Sequence, residues 1–252
     1  MAGAMVEGWR RAGINLGVVI AIRPSGAPVD GVRTLREIPA TGSPALVLLG
    51  VKPQKLDKVA PTLATRLNQT SSLISILAGV EIASLRHRFP TVGQIIRAMP
   101  NLPVSENRGV VALVGGDESI DPLFALLGTV VRTESEADLA AIGSLAGAGP
   151  AYVARFIAAL AKAGTEGGLD PALASRLALE TVLGTATMAA ARGEDMGSIA
   201  RRVASPNGTT EAGLAILDAG LDELVSRTLE AASRRGAELA AAARIDLTTP
   251  LA

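Results

Sequence analysis

The chain is 252 residues long, 48% apolar and 19% charged, with a formal net charge of zero. Such a chain builds one large or two ordinary domains and is not disordered, and its neutral balance gives no support for binding nucleic acid or an anionic membrane. It has no cysteine and one histidine, His87, which excludes disulfides, thiolate chemistry and multi-histidine metal sites.

The first predicted element, in MAGAMVEGWRRAG (1–13), is a helix from its second or third residue. Ala2, Gly3, Ala4 and Trp9 mark an apolar side, and Glu7, Arg10 and Arg11 a polar one. No basic segment followed by an apolar run is found there, so no signal peptide is expected. The longest apolar runs, such as ALVLLGV at 45–51, fall short of a membrane span. A cytoplasmic protein is expected.

Strands are predicted at 16–22, 45–51, 72–77, 93–99, 109–115 and 129–133. Helices are predicted at 53–67 (broken or kinked by Pro61), 81–88 and 118–127. Most of the strand runs are continuously apolar rather than alternating. Strands buried on both faces have this pattern, as in a parallel sheet covered by helices. After about residue 134 the β signal disappears. Helices are predicted at 135–145, 150–168, 171–192, 196–203, 209–219 and 221–243. Asp170-Pro171 supplies an N-cap and a first-turn proline. Gly184 inside its helix costs roughly 1 kcal/mol against alanine, which predicts a close helix–helix contact. The fold class is α/β, with an α/β half over 1–134 and an all-helical half over 135–252.

Ligands of α/β sheets bind at the carboxyl ends of the strands. Arg23 falls just past the run 16–22, where an arginine suits a ribose 2′-phosphate, and Ser25 could add a hydroxyl. Gly50-Val51-Lys52-Pro53 leaves a strand and starts a helix, with Gly50 admitting close approach of a ligand and Lys52 within reach of a phosphate or ribose. Each also reads as an ordinary surface loop. A G-x-G-x-x-G fingerprint is absent, and ahead of the first strand Gly3 is the only candidate for one of its glycines. GSLAGAGPA (143–151) reads as a tight turn and helix start. In VASPNGTTEAG (203–213), the loop Ser205–Gly208 leads into a helix at Thr209-Thr210-Glu211. Such an N-terminus is a ready carboxylate site, with Ser205, Thr209 and Thr210 as further donors; plain helix capping by threonine is the alternative.

Taken together, GVKP (50–53), SILAGV (75–80), RAMPNLP (97–103), GAGPAY (147–152), TVLGTA (181–186) and SPNGTTEAG (205–213) resemble the pyrroline-5-carboxylate reductase family, in order and spacing, over essentially the whole chain. The resemblance implies an N-terminal Rossmann-like dinucleotide-binding domain and an all-helical dimerisation domain. It implies reduction of 1-pyrroline-5-carboxylate to L-proline with NADPH, NADH serving more weakly. Met1-Ala2-Gly3-Ala4 would match only the tail of the family's phosphate loop, with Met1 and Ala2 at the cofactor. The first β-strand and first two glycines would then be missing, through a misplaced start or a true truncation, and two strand edges would be left free. By the same resemblance, Arg23 and Ser25 lie at the 2′-phosphate. Gly50, Val51, Lys52, Pro53, Ile76, Leu77 and Ala78 line the cofactor, and Met99, Pro100 and Asn101 flank the nicotinamide. Ser205, Gly208, Thr209 and Thr210 bind the substrate, with Thr210 at the ring nitrogen. Asn207 stands where many members have glycine, and asparagine tolerates the left-handed backbone expected there. The resemblance also implies a homodimer or larger homo-oligomer and no metal.

Two other readings compete. A β-hydroxyacid dehydrogenase would need a catalytic lysine near Lys162, but the family's asparagine one turn on is lacking, and Lys162 reads as a surface residue. His87, between two arginines, reads as solvated. A non-catalytic relative would have no physical need to keep Arg23, Lys52 and the 205–210 loop.

Overall fold

The computed structural model describes residues 1–243. Helix α1 (Ala2–Arg11) buries Met5, Gly8 and Trp9. A Cβ on Gly8 would overlap the carbonyl oxygen of Val104, so only glycine lets the helix lie against the 3₁₀ turn Leu102–Glu106. Asn107, at φ 56°, fastens this contact by donating from Nδ2 to the carbonyls of Gly8 (2.8 Å) and Leu126 (2.6 Å). Trp9 Nε1 donates to the Leu123 carbonyl at 2.8 Å, and its ring packs on Phe124 with centroids 6.2 Å apart.

Seven strands follow: β1 (Ile20–Ile22), β2 (Arg33–Leu35), β3 (Leu46–Leu49), β4 (Ser72–Ser75), β5 (Gln94–Pro100), β6 (Gly109–Val114) and β7 (Gly128–Thr133). The last five form one sheet in the order β3-β4-β5-β6-β7, while β1 and β2 form a separate parallel pair. β1 and β3 therefore each present a free edge, and Ile20, Ile22 and Leu46 are exposed.

Three features differ from the sequence expectation. The run 16–22 becomes a strand only at Ile20, because the Asn15 side chain accepts from the Gly17 amide and winds 16–18 into a 3₁₀ turn. β2 was not expected, since Arg-Thr-Leu is short and mostly polar. The sheet is also mixed rather than wholly parallel: β6 runs antiparallel to β5, with Arg97 opposite Val114 and Pro100 opposite Val111. The connecting segment 101–108 is shorter than the roughly dozen residues a parallel crossover takes.

Successive strand residues point to opposite faces, so the continuous apolar runs supply two cores. Ile74 and Ile96 join Met5, Trp9 and Phe124 on the α1 side, where Val19 and Val32 from the β1/β2 region also pack. Leu73 and Ile95 join Leu56, Leu63, Leu85 and Phe89 on the other side, under α2 (Leu56–Ala64) and α3 (Ile82–Arg88). Pro61 sits inside α2. Helix α4 (Asp121–Ala125) connects β6 to β7.

From Glu136 onward the chain is helical: α5 (Glu136–Ile142), a π-helical turn Gly143–Gly147, α6 (Gly149–Glu166), α7 (Pro171–Arg192), α8 (Met196–Val203), α9 (Thr209–Asp218) and α10 (Leu221–Ala243). Asp170 caps α7 by accepting from the Ala172 and Leu173 amides, both at 3.0 Å. The stretch 143–151, expected as a tight turn and helix start, is a π-helical turn over Gly143–Gly147 that runs into the start of α6 at Gly149. Residues Glu136–Glu166 thus form one helical segment of mean hydropathy 1.3, and its most apolar window has no residue buried in the chain. By length and composition alone this segment could cross a membrane, which the isolated apolar runs did not foretell. A Cβ on Gly184 would meet open space, so the helix contact expected there is absent among the described residues. Two compact units result: Met1–Gly149 with the end of α10 from Ala232, and Pro150–Ala231.

Candidate functional site

In the first unit, the parallel strands β3, β4 and β5 end side by side, with Leu49 opposite Ser75 and Ser75 opposite Arg97. The start of α1 closes on these ends. A Cβ on Gly50 would stand 3.0 Å from Ala2 Cβ and 3.5 Å from Ile76 Cδ1. Gly50 is therefore glycine because α1, β3 and β4 converge there. Met1 is the N-cap of α1 and no side chain caps the helix, while the space beside Gly3 is open. First-turn N–H groups with the positive end of the helix dipole suit a phosphate. Lys52 is exposed and precedes the 3₁₀ turn Pro53–Lys55. Leu77 is buried in the core under α2, which leaves its backbone at the strand end, next to exposed Ala78.

The end of β5 meets the π turn. Asn101 is 7% exposed; its Oδ1 accepts from the Val110 amide at 2.8 Å and its Nδ2 donates to the Ala146 carbonyl at 3.0 Å. A Cβ on Gly143 would come within 3.0 Å of Met99 Cε, so this glycine lets the thioether lie against the turn. Ser233 of α10 donates to Ser144 Oγ in the same turn, at 2.9 Å. Glu136 Oε1 accepts from Arg97 at 2.9 Å and from the Ile82 amide at 2.8 Å, tying the segment after β4 to α5.

At the end of β1, Arg23, Pro24, Ser25 and Gly26 form a turn closed by a 2.8 Å bond from the Gly26 amide to the Arg23 carbonyl. Arg23 donates to the Pro28 carbonyl at 3.2 Å, and Ser25 Oγ accepts from the Ala27 amide at 3.2 Å. Arg36, which sequence reasoning missed, lies over Gly26. Its only signal was the unpredicted β2.

In the second unit, the loop 205–208 leads into α9. Asn207 adopts φ 58°, as its expected tolerance of left-handed backbone allows. The N-cap is Gly208, not a threonine as the capping alternative would have it, and no side chain caps the helix there. Instead Glu211 reaches back to accept from the Asn207 amide at 2.7 Å. Thr209 and Thr210 occupy the first turn, with Thr210 half-buried and Ser205 exposed beside Gly208. The arrangement offers backbone N–H groups and hydroxyls to an anion.

The other candidates sit elsewhere. Lys162 is exposed and pairs with Glu166 at 3.5 Å, as its surface reading predicts. His87 is half-buried with Nε2 lacking a hydrogen-bond partner, not solvated as expected. It lines a cleft of about 500 Å³ with Asp57, Ala60, Pro61, Ala64, Arg88 and Pro90, which contains none of the residues above. The Asp195 carboxyl, N-cap of α8, is held below its usual range by hydrogen bonds from the Ser198 hydroxyl and the Ser198 and Gly197 amides. Among the described residues no cluster of His, Asp and Glu could hold a metal.

A family model described as pyrroline-5-carboxylate reductase dimerisation matches residues 136–239. The pyrroline-5-carboxylate reductase of Pseudomonas aeruginosa is 34% identical over 257 residues, covering 95% of this chain and 93% of that protein. That of Synechocystis is 40% identical over 203 residues, 77% of this chain and 74% of that one. The solved pyrroline-5-carboxylate reductase of Coxiella burnetii superposes with a TM-score of 0.86 at 29% identity, covering 94% of each chain. The Plasmodium falciparum enzyme, solved with NADP bound, shares the fold with a TM-score of 0.82 at 23% identity, covering 94% of this chain and 93% of that one.

Proposed function

The chain belongs to the pyrroline-5-carboxylate reductase family, and from that membership we propose how its residues divide the reduction of 1-pyrroline-5-carboxylate to L-proline. A nicotinamide dinucleotide, when bound, supplies the hydride that reduces the C=N carbon. The strand ends fit such a cofactor: Gly50 admits α1, whose uncapped first turn from Met1 and Ala2 faces the same ends. Gly50, Val51, Lys52 and Pro53 hold the phosphate and ribose side. Arg23 and Ser25 take the 2′-phosphate, which favours NADPH over NADH. Ile76, Leu77, Ala78, Met99, Pro100 and Asn101 flank the nicotinamide. We assign residues 1–134 to the nucleotide domain and the helical chain from 135 onward to the substrate and dimerisation domain, a functional boundary that falls ahead of the division between compact units after Gly149.

The uncapped start of α9 is the observation that carries the substrate assignment. Its N–H groups at Thr209 and Thr210, with the Ser205 hydroxyl, hold the carboxylate, while the Gly208 amide closes the loop by donating to the Ser205 carbonyl at 2.9 Å. The Thr210 hydroxyl orients the ring nitrogen and passes it a proton from water. A protonated imine accepts hydride without a strong general acid, so a histidine or lysine is not required. The surface position of Lys162 removes the residue on which a β-hydroxyacid dehydrogenase would depend. The family's dimerisation region covers the helices that leave Leu179, Leu183, Ile216 and Leu224 exposed, and a homodimer is the smallest assembly we expect.

Thr210→Ala tests the assignment. The kcat falls at least about tenfold while NADPH affinity stays within about twofold. Equal losses in both would show that the loop serves folding rather than the imine.

A further inference from the structure

β1 and β2 run parallel with Ile22 opposite Leu35, so Arg23 and Arg36 are the next residues at the same end of the pair. The Arg23 amide continues the ladder by donating to the Leu35 carbonyl at 2.8 Å. The Arg36 guanidinium lies over Gly26: a Cβ there would stand 2.8 Å from Nε, 3.0 Å from Cζ and 3.0 Å from Nη2. It can do so because Gly26 has no side chain. This packing holds Arg36 over the turn that carries Arg23 and Ser25.

Among the described residues neither arginine enters an ion pair. The nearby Asp30 faces Arg10 at 3.7 Å, and Glu37, next to Arg36, makes no ion pair among the described residues. Two guanidinium groups at one strand end, neither ion-paired among the described residues, can share an anion. A guanidinium offers paired donors that match a phosphate monoester.

We propose that Arg36 is a second reader of the phosphate on the cofactor's adenosine ribose, acting with Arg23 across the Arg23–Gly26 turn. The proposal rests on the cofactor assignment above. Arg36 thereby raises the preference for a 2′-phosphorylated dinucleotide beyond what Arg23 and Ser25 give.

Calorimetric titration with 2′,5′-ADP and with 5′-AMP tests this on the intact protein. Both probes carry a 5′-phosphate, so a general loss of positive charge weakens both alike. Arg36→Ala is expected to weaken 2′,5′-ADP roughly five- to twentyfold and to leave 5′-AMP within about twofold. Arg36→Lys, keeping the charge without the fork, falls between. The KM for NADPH rises in parallel while that for NADH holds. An unchanged 2′,5′-ADP affinity, or equal losses for both probes, would overturn the role of Arg36. If Arg23→Ala removes the preference and Arg36→Ala does not, only this inference fails. If the unsubstituted protein binds both probes equally, the 2′-phosphate assignment falls, and this inference with it.

Discussion

Asn101→Ala is the substitution whose consequences the structure specifies most fully. The side chain is buried, and its two hydrogen bonds join the start of β6 at Val110 to the π turn at Ala146. Alanine removes both and strands a backbone N–H and a carbonyl. A net hydrogen bond is worth about 1 kcal/mol, and a stranded buried group costs roughly 1–3 kcal/mol. The total is about 3 kcal/mol, which lowers Tm by roughly 6–12 °C in a chain of this length. Thermal unfolding reads that shift. Steady-state kinetics on the same variant should show kcat/KM for the imine falling, because Met99 lies against the loosened turn. The affinity for 2′,5′-ADP should stay within about twofold, since its proposed site is at β1. A Tm within about 2 °C of the parent with unchanged kcat would show that Asn101 does not hold the turn.

Other perturbations have equally definite outcomes. Gly8→Ala drives a Cβ into the Val104 carbonyl and should destabilise the α1 packing by roughly 3 kcal/mol or more, read by denaturant midpoint; a shift under about 0.5 kcal/mol would contradict the close contact. The depressed Asp195 carboxyl contributes stability above its unfolded pKa, and that contribution is lost as pH falls through its lower folded value. The protection factors of α8 amides, corrected for intrinsic exchange, should therefore fall in the acid range below about pH 4, and Asp195→Asn should flatten that dependence; an identical profile in the variant would assign the effect elsewhere. Light scattering at micromolar concentration should give at least twice the chain mass, and a monomer would contradict use of the dimerisation region.

The parts of the fold that could be read from the sequence are those where one local pattern decides. The runs at 45–51, 72–77, 93–99 and 109–115 are apolar on both faces because helices cover both sides, the helices at 171–192 and 196–203 follow their aspartate caps, and that at 221–243 follows its periodicity. β2 was hidden because three residues with two polar side chains carry no period, and with it went the neighbourhood of Arg36. The reversal of β6 was available in the shortness of 101–108 but not in any strand pattern. The π turn hid behind its glycines, which favour breaks in general and here admit Met99. At the candidate site, the left-handed Asn207 followed from the resemblance to a family in which many members have glycine there, together with asparagine's tolerance of that backbone. The shift of the N-cap to Gly208 depended on Glu211 reaching back, which composition does not reveal.

Product formation tests the central claim most directly. The chain, incubated with NADPH and 1-pyrroline-5-carboxylate, should consume the cofactor and release L-proline in equal amounts, and should leave 3-hydroxy acids untouched with NADP. Cofactor turnover on hydroxy acids without proline, or a folded protein that forms no proline, would contradict the account.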